Sequence, residues 1–298
     1  MSVLLSRAGA VGIYDSGVGG LTVCRALRRR FPNLGIIYLG DSARAPYGDR
    51  SLNEIRQYNF EILHFLNQFP LRMILSGCNT SSAMVLEDAQ DFSKISLLGL
   101  IEPTAKAVVA RGFKNVAVLA TKGTVTIGAY GKLLRQYGGA DMQVREIACP
   151  RFVPLVENPL SSKAEYAAAV AEILPKLDGI DSLIFGCTHF PYFEAHFRVA
   201  LPKSVTMIDP AQIIVDEAAQ LLTQQGGHDL VQNDTLSSEA AFVDPEDCFF
   251  TTGDPDKFAW LAEHLVPGLV KNVRRTSLTT IDLFGLSPKA HLISSPTA

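Results

Sequence analysis

Two short stretches carry the residue types most able to do chemistry: Leu75-Ser-Gly-Cys78-Asn79-Thr80 and Ile184-Phe-Gly-Cys187-Thr188-His189. In each, an apolar run of β type (Arg72 to Leu75, Leu183 to Phe185) ends in Gly-Cys and is followed by hydroxyl, amide or imidazole side chains. A thiol so placed stands at the carboxyl end of a buried strand, where the ligand-binding groups of open α/β sheets gather. The preceding glycine lets the backbone bend and a ligand approach. Two thiols in matching positions point to one from each side of a cleft.

Three chemistries are open to such a pair. A nucleophilic thiol enzyme needs one cysteine, a basic histidine and a third group that orients it. His189 lies two residues past Cys187, but that scheme leaves Cys78 unexplained. A zinc site drawn from Cys187, His189 and His196 has spacings that fit no familiar zinc pattern. The third chemistry is proton transfer at a carbon centre, with one thiol on each face of the substrate. It needs one group deprotonated to take the proton and one protonated to return it. Thiols near their ordinary pKa of ~8.5 suit both roles, because a modest local field decides which form is present. In this scheme Asp15 steers the proton of Cys78 and His189 that of Cys187. Cys24, Cys149 and Cys248 lack polar neighbours of this kind and read as small buried hydrophobes.

The elements that position these groups alternate along the chain. Val11 to Tyr14 reads as a buried strand, and Asp15-Ser-Gly-Val-Gly-Gly20 as a glycine-rich turn opening a helix from Leu21 to Phe31. The turn is not a dinucleotide fingerprint, because Thr22 stands where the third glycine belongs, and it lacks the Gly-Lys-Ser/Thr of a phosphate loop. Its backbone N–H groups are expected near a ligand carboxylate at the helix N-terminus. Arg25, Arg28, Arg29 and Arg30 fall in the last turn of that helix, where the macrodipole favours cations, and are expected to be solvated. Ile36 to Leu39 is a second strand, followed by the turn-rich loop Gly40 to Gly48. Ile55, Tyr58, Ile62, Phe65, Leu66 and Phe69 mark the core face of the next helix.

Further on, strands are expected over Ser96 to Ile101, Asn115 to Ala120, Gln143 to Ile147, Asp181 to Phe185, Ser204 to Ile208 and Cys248 to Thr252. Helices are expected from Glu102 to about Arg111, about Ile127 to Tyr137, about Lys163 to Leu177, after Cys187 to about Ala200, and Ala211 to Gln225. The last, from Asp254 to Leu265, has Asp254 as its cap and Pro255 at its first position. Cys149 to Pro154 reads as a loop and Gln224 to Asp247 as an exposed polar excursion. Alternation of this kind predicts an α/β fold with parallel sheets. The 109 positions between Cys78 and Cys187 (187 − 78) match one domain. Two similar α/β domains are therefore expected to face each other across a central cleft, residues 1–100 plus 209–298 carrying Cys78 and residues 101–208 carrying Cys187.

Composition narrows the partners. The 298 residues are 47% hydrophobic and hold 27 Lys+Arg against 30 Asp+Glu, for a net charge of −3. That balance offers no electrostatic footprint for nucleic acid or an anionic membrane. Five cysteines with no Cys-x-x-Cys argue against a disulfide framework and against a structural metal, which leads to the expectation of reduced thiols and a cytoplasmic setting. The first ten residues lack the features of a secretory signal. No stretch approaches the ~18 uncharged apolar residues that span a bilayer.

Taken together, Asp15-Ser-Gly-Val-Gly-Gly-Leu-Thr22, Gly40-Asp-Ser-Ala-Arg-Ala-Pro-Tyr-Gly48, Cys78-Asn79-Thr80, Ile101-Glu-Pro103, Ala120-Thr-Lys-Gly-Thr124, Gly186-Cys-Thr-His189 and Thr252-Gly-Asp254 resemble the glutamate racemases of the cofactor-independent aspartate/glutamate racemase superfamily. The matches keep their order from residue 11 to about 265. The resemblance implies interconversion of L- and D-glutamate with no cofactor, neither pyridoxal phosphate nor metal, to supply D-glutamate for peptidoglycan. It implies that Cys78 exchanges the α-proton of D-glutamate and Cys187 that of L-glutamate, assisted by Asp15 and His189. Asp15, Ser16, Tyr47, Gly48, Asn79, Thr80, Thr121, Thr124, Thr188 and His189 fall where the family binds the ammonium and two carboxylates. Family members usually form homodimers. The chain departs from the family pattern at Gly77, where alanine is common, at Thr104, where glycine is expected, and at Pro210, where serine is usual. Aspartate racemisation, decarboxylation of a malonate-like substrate, and non-catalytic binding of an acidic amino acid are the alternatives.

Overall fold

The computed structural model describes residues 9–224 and 247–282. The chain begins with β1 (Ala10–Asp15), α1 (Leu21–Arg30), β2 (Ile36–Gly40), α2 (Leu52–Leu66), β3 (Leu71–Ser76), α3 (Asn79–Met84), α4 (Leu86–Phe92) and β4 (Leu97–Leu98). It continues through α5 (Ile101–Ala110), β5 (Asn115–Ala120), α6 (Lys122–Ile127), α7 (Ala129–Gly138), β6 (Gln143–Ala148), α8 (Phe152–Val156), α9 (Lys163–Ala171), β7 (Ser182–Gly186), α10 (Glu194–Ala200) and β8 (Thr206–Ile208). Last come α11 (Pro210–Gln224), β9 (Cys248–Thr251), α12 (Pro255–Leu265) and β10 (Arg274–Arg275).

The strands form two parallel sheets, one in the order β10-β9-β2-β1-β3-β4 and one in the order β6-β5-β7-β8. This is the α/β architecture with two parallel sheets that the alternation predicts. Parallel sheets are covered on both faces, so their strands need apolar residues at successive positions. On β1, Ile13 joins a core with Leu27, Ile214 and Phe258, while its neighbour Tyr14 joins a separate core with Ile62, Leu63 and Phe250. The second sheet behaves alike: Leu183 and Phe185 pack against Phe193 and Phe197, and Ile184 against Tyr130 and Leu134. Each large side chain so buried contributes roughly 1.5–3 kcal/mol relative to exposure. No helix among the described residues is long and apolar enough to cross a membrane.

Several local expectations change. The helix expected from about Ile127 to Tyr137 is α7, and a further short helix, α6, precedes it over Lys122–Ile127, ended by Gly128 at φ +66°. Left-handed backbone there favours glycine. The strand expected over Ser96 to Ile101 shrinks to Leu97–Leu98, and Ile101 already belongs to α5. Part of the loop expected over Cys149 to Pro154 is helical, as α8. The single helix expected from Lys163 to Leu177 stops at Ala171 and resumes as a 3-10 turn over Leu174–Lys176. Arg28 is not merely solvated: both Asp247 carboxylate oxygens lie 2.5–2.6 Å from its guanidinium. Asp247 also accepts from the Ile36 N–H at 3.0 Å, so the end of the expected polar excursion is anchored at β2. The rest of that excursion, residues 225–246, lies outside the described residues, as does the tail from residue 283.

The departures from the family pattern have local explanations at two positions. Asp209 accepts from the Ala211 N–H at 2.9 Å, and Pro210 takes the first position of α11, where a missing N–H costs nothing. Thr104 is buried and its hydroxyl donates to the Leu100 carbonyl one turn back, at 2.6 Å.

Candidate active site

Cys78 stands between the end of β3 and the first residue of α3, and Cys187 directly follows β7. Each sheet therefore delivers one thiol from the carboxyl end of a central strand. Both line one cleft with an empty volume of about 380 Å³ counting its mouth, and both are nearly covered, at 4% and 6% exposure. Of the residues marked by the sequence, Asp15, Ser16, Tyr47, Gly48, Asn79, Thr80, Thr121, Thr188 and His189 line this same cleft. Thr124 does not reach it. It is buried behind Thr121, with the two hydroxyls 3.1 Å apart. Thr121 in turn lies 3.1 Å from the Thr80 hydroxyl, so a chain of three hydroxyls joins the two sheets' sides of the cleft. Lys122, beside them, is exposed.

The glycine-rich turn serves the site differently from the expectation. Its Gly20 N–H donates to Asp15 Oδ2 at 2.8 Å, with Gly17 N–H at 3.4 Å. These donors hold the Asp15 carboxylate inside the turn. Burial pushes the Asp15 carboxyl above its ordinary value, and His189 together with the N–H groups of Gly20, Ser16 and Gly17 pulls it part-way back. Gly19 matters for closeness: a Cβ there would come within 2.5 Å of the His189 ring and the Thr188 hydroxyl. Gly19→Ala is expected to displace the His189 ring. A shift of about 1 Å lowers kcat/KM on the order of 10²-fold. Steady-state kinetics on the folded variant checks this, and parent-level turnover would refute it.

The loop from Gly40 to Gly48 is tied by its own charges. Asp41 is fully buried and accepts from the Tyr47 hydroxyl, from Arg44 Nε at 2.7 Å and from the Thr252 hydroxyl at 2.7 Å, while Arg44 also pairs with Glu61. Tyr47 and Gly48 are thereby fixed against the cleft, with Gly48 packed on Thr121. Asp41 and Thr252 belong to sequence motifs, yet their part is support behind the cleft wall. Asn79 is oriented in a similar way: Tyr130 donates to its Oδ1 at 2.7 Å, leaving its buried Nδ2 without a partner and available to a ligand.

The two thiols have unlike surroundings. Burial pushes Cys78 up to about 12, and the Asp15 charge adds to this. Cys187 Sγ lies 3.8 Å from His189 Nδ1, and the other ring nitrogen, Nε2, lies 3.0 Å from Glu157 Oε1. Burial disfavours the charged imidazole, but the hydrogen bonds to Cys187 and Glu157 outweigh it and hold His189 well above its usual range. Burial likewise opposes the Glu157 charge, and the hydrogen bond from His189 wins, holding the carboxyl below its ordinary value. When doubly protonated, His189 donates to sulfur on one side and to carboxylate on the other.

Glu157 is the cleft residue that sequence reasoning missed. It follows α8 as a single acid with no motif around it, and its partner is 32 residues away. Ala45, Pro46 and Val153 complete the lining. His196, the third member of the zinc alternative, stands elsewhere, stacked on Tyr166 with ring centroids 5.5 Å apart. Among the described residues no group of three or more His, Cys, Asp or Glu side chains is placed to hold a metal ion.

The model of the Asp/Glu/Hydantoin racemase family matches residues 20–218. The chain belongs to that family. As a member of the Asp/Glu/Hydantoin racemases it is similar to the glutamate racemase of Trichodesmium erythraeum, at 39% identity over 263 residues, covering 88% of this chain and 93% of that protein. Among solved structures it resembles a glutamate racemase isoform of Bacillus anthracis, with TM-score 0.79 and 33% identity over 90% of this chain and 97% of the other. It also resembles the Francisella tularensis glutamate racemase solved with D-glutamate, with TM-score 0.80 and 28% identity over 91% and 98%.

Proposed function

We propose that this chain interconverts L- and D-glutamate by proton transfer at the α-carbon, supplying D-glutamate for peptidoglycan. The observation that carries the reading is one cleft with a nearly covered thiol from each of two sheets. Cys187 takes the α-proton of L-glutamate, and its hydrogen bond to His189 provides a route for that proton. Cys78, held as a thiol by burial and by Asp15, returns a proton on the opposite face to give D-glutamate. In the reverse direction Cys78 takes the proton of D-glutamate and Cys187 returns one. Asn79 Nδ2 and the hydroxyls of Ser16, Thr80, Thr121 and Thr188 are the donors for the carboxylates and for the charge that develops on them, where preorganised donors act most strongly. Asp15 is the acceptor for the ammonium, and Thr124 acts through Thr121.

The same reading takes residues 1–100 with 209–298, and 101–208, as the two domains, which the membership of the two sheets supports. It places the protein in the cytoplasm as a homodimer; five free, buried cysteines support the reducing compartment. In heavy water and without added cofactor, L-glutamate is expected to acquire α-deuterium and to yield D-glutamate. NMR and chiral chromatography follow both. Turnover of aspartate or an arylmalonate in preference to glutamate, or neither exchange nor racemisation at high enzyme concentration, would refute the reading.

A further inference from the structure

The carboxamide of Asn79 presents an acceptor on one side and a donor on the other, and only its neighbours decide which of the two faces the cleft. Here the decision is made from the other half of the molecule. Tyr130 stands on α7, fully buried in the core of the second sheet with Val118, Leu134 and Ile184, and its hydroxyl donates to Asn79 Oδ1 at 2.7 Å. Asn79 follows Cys78 of the first sheet, 51 positions away. Burial holds the Tyr130 phenol above its ordinary value, so the proton that fixes Oδ1 is retained. Asn79 Nδ2, buried and with no protein partner, is left as a donor on a residue that lines the cleft.

The rest of the lining makes this orientation matter. Among the described residues the cleft is lined by no lysine or arginine, and Tyr47 gives its proton to Asp41. Ser16, Thr80, Thr121 and Thr188 offer hydroxyls, which rotate and serve a donor as readily as an acceptor. They meet a carboxylate and a carboxamide alike. An amide held by its oxygen has no such freedom: its NH2 remains a donor, and the NH2 of a carboxamide ligand gives it nothing to bond.

We infer that Tyr130 is a specificity-determining positioning residue, which by holding Asn79 Oδ1 keeps a fixed donor on one substrate carboxylate and selects it over the corresponding carboxamide. The inference rests on the racemase reading for the identity of the substrate, but selection is read from binding alone. Without the phenol the amide turns, and its oxygen repels a carboxylate as readily as its NH2 attracts one.

The test titrates L-glutamate, L-glutamine and L-isoglutamine into the full chain, the last two carrying a carboxamide in place of the side-chain and the α-carboxylate respectively. Tyr130→Phe keeps the ring and its packing. Thr104→Val is the control, because it removes the phenol's other hydroxyl neighbour, whose own proton goes to the Leu100 carbonyl. In Tyr130→Phe, glutamate is expected to bind about tenfold or more weakly while one of the amides loses less, so that its ratio to glutamate narrows by about tenfold. The amide that gains tells which carboxylate Asn79 meets. Asn79→Ala removes the donor itself, and adding Tyr130→Phe to it is expected to cost less than about twofold further. A merely structural phenol would cost the same in both backgrounds, and that additivity would overturn the inference. So would parent-level glutamate affinity in Tyr130→Phe, unchanged ratios to both amides, or a change in Thr104→Val as large as that in Tyr130→Phe. Asn79→Asp gives a readout that leaves the phenol intact. Its carboxylate keeps an acceptor for Tyr130 and turns the other oxygen to the substrate, so glutamate binding is expected to fall by about 10²-fold and amide binding by less. Parent-level glutamate binding in Asn79→Asp would show that an oxygen already faced the cleft, and would overturn the inference. Glutamate binding without racemisation would count against the reaction alone, with selection still decided by titration. No glutamate binding by the parent would overturn both.

Discussion

Cys78→Ser and Cys187→Ser are each expected to lower racemisation by about 10²–10⁴-fold, the usual worth of a positioned acid–base group, while glutamate binding and the fold persist. A serine hydroxyl is nearly isosteric but holds its proton far more tightly than a thiol, so it neither takes the α-proton nor passes through the required anionic form. The enantiomers have equal free energies in water, and kcat/KM must therefore fall equally in both directions for either variant. What separates the two thiols is isotope exchange. In Cys78→Ser, Cys187 still removes the α-proton of L-glutamate and returns a solvent-derived one to the same face. L-glutamate in heavy water should then gain deuterium faster than it inverts, and D-glutamate should not. Cys187→Ser should show the opposite preference. Exchange that follows the other enantiomer would reverse the assigned faces, and parent-rate turnover in either variant would remove that thiol from the mechanism.

His189→Asn is expected to cost about 10²–10⁴-fold in kcat/KM, because it removes the group that shares the Cys187 proton. Glu157→Gln is the more informative companion. The amide keeps the shape and an acceptor for His189 but loses the charge that, after the Cys187 hydrogen bond, raises the imidazole. The alkaline limb of the pH–rate profile, where His189 gives up its second proton, should move to lower pH in Glu157→Gln. An unmoved limb would show that the limb belongs to another group. Stability carries the same signature. His189 is raised on folding, so its contribution is complete below the unfolded value near ~6.5 and is lost as pH rises through the folded value. Glu157 is lowered, so its contribution is present above the unfolded value near ~4.3 and is lost as pH falls through the folded one. The parent's Tm should therefore peak in the window where both are charged, and Glu157→Gln should flatten that peak.

Much of the frame was legible from local pattern. The apolar runs of β1, β2, β3, β5 and β7 and the helical spacing of α2 are properties of a few consecutive residues, and Asp254-Pro255 announces the start of α12 through its own side chain and ring. The limits were also local in origin. Gly128 divides α6 from α7 by taking a left-handed conformation that nothing in its neighbours demanded. Thr124, placed beside Thr121 by its motif, faces inward because α6 starts at Lys122 and turns it away from the cleft. Arg28 looked solvated because its partner, Asp247, is 219 positions away.

By itself the sequence determined the paired Gly-Cys strand ends, the parallel α/β order and most of the side chains that meet in the cleft, because period, turn chemistry and strand-end position are written within about ten residues. Only the tertiary structure decided how those side chains differ. Cys78 is a firmly held thiol because Tyr47, Ile55, Met84 and Val85 bury it and the Gly20 N–H holds the Asp15 charge nearby. His189 is a raised imidazole because a distant carboxylate, Glu157, reaches its far nitrogen. Proton affinity depends on solvent exclusion and on charges brought close by packing, and neither has any fixed spacing along the chain.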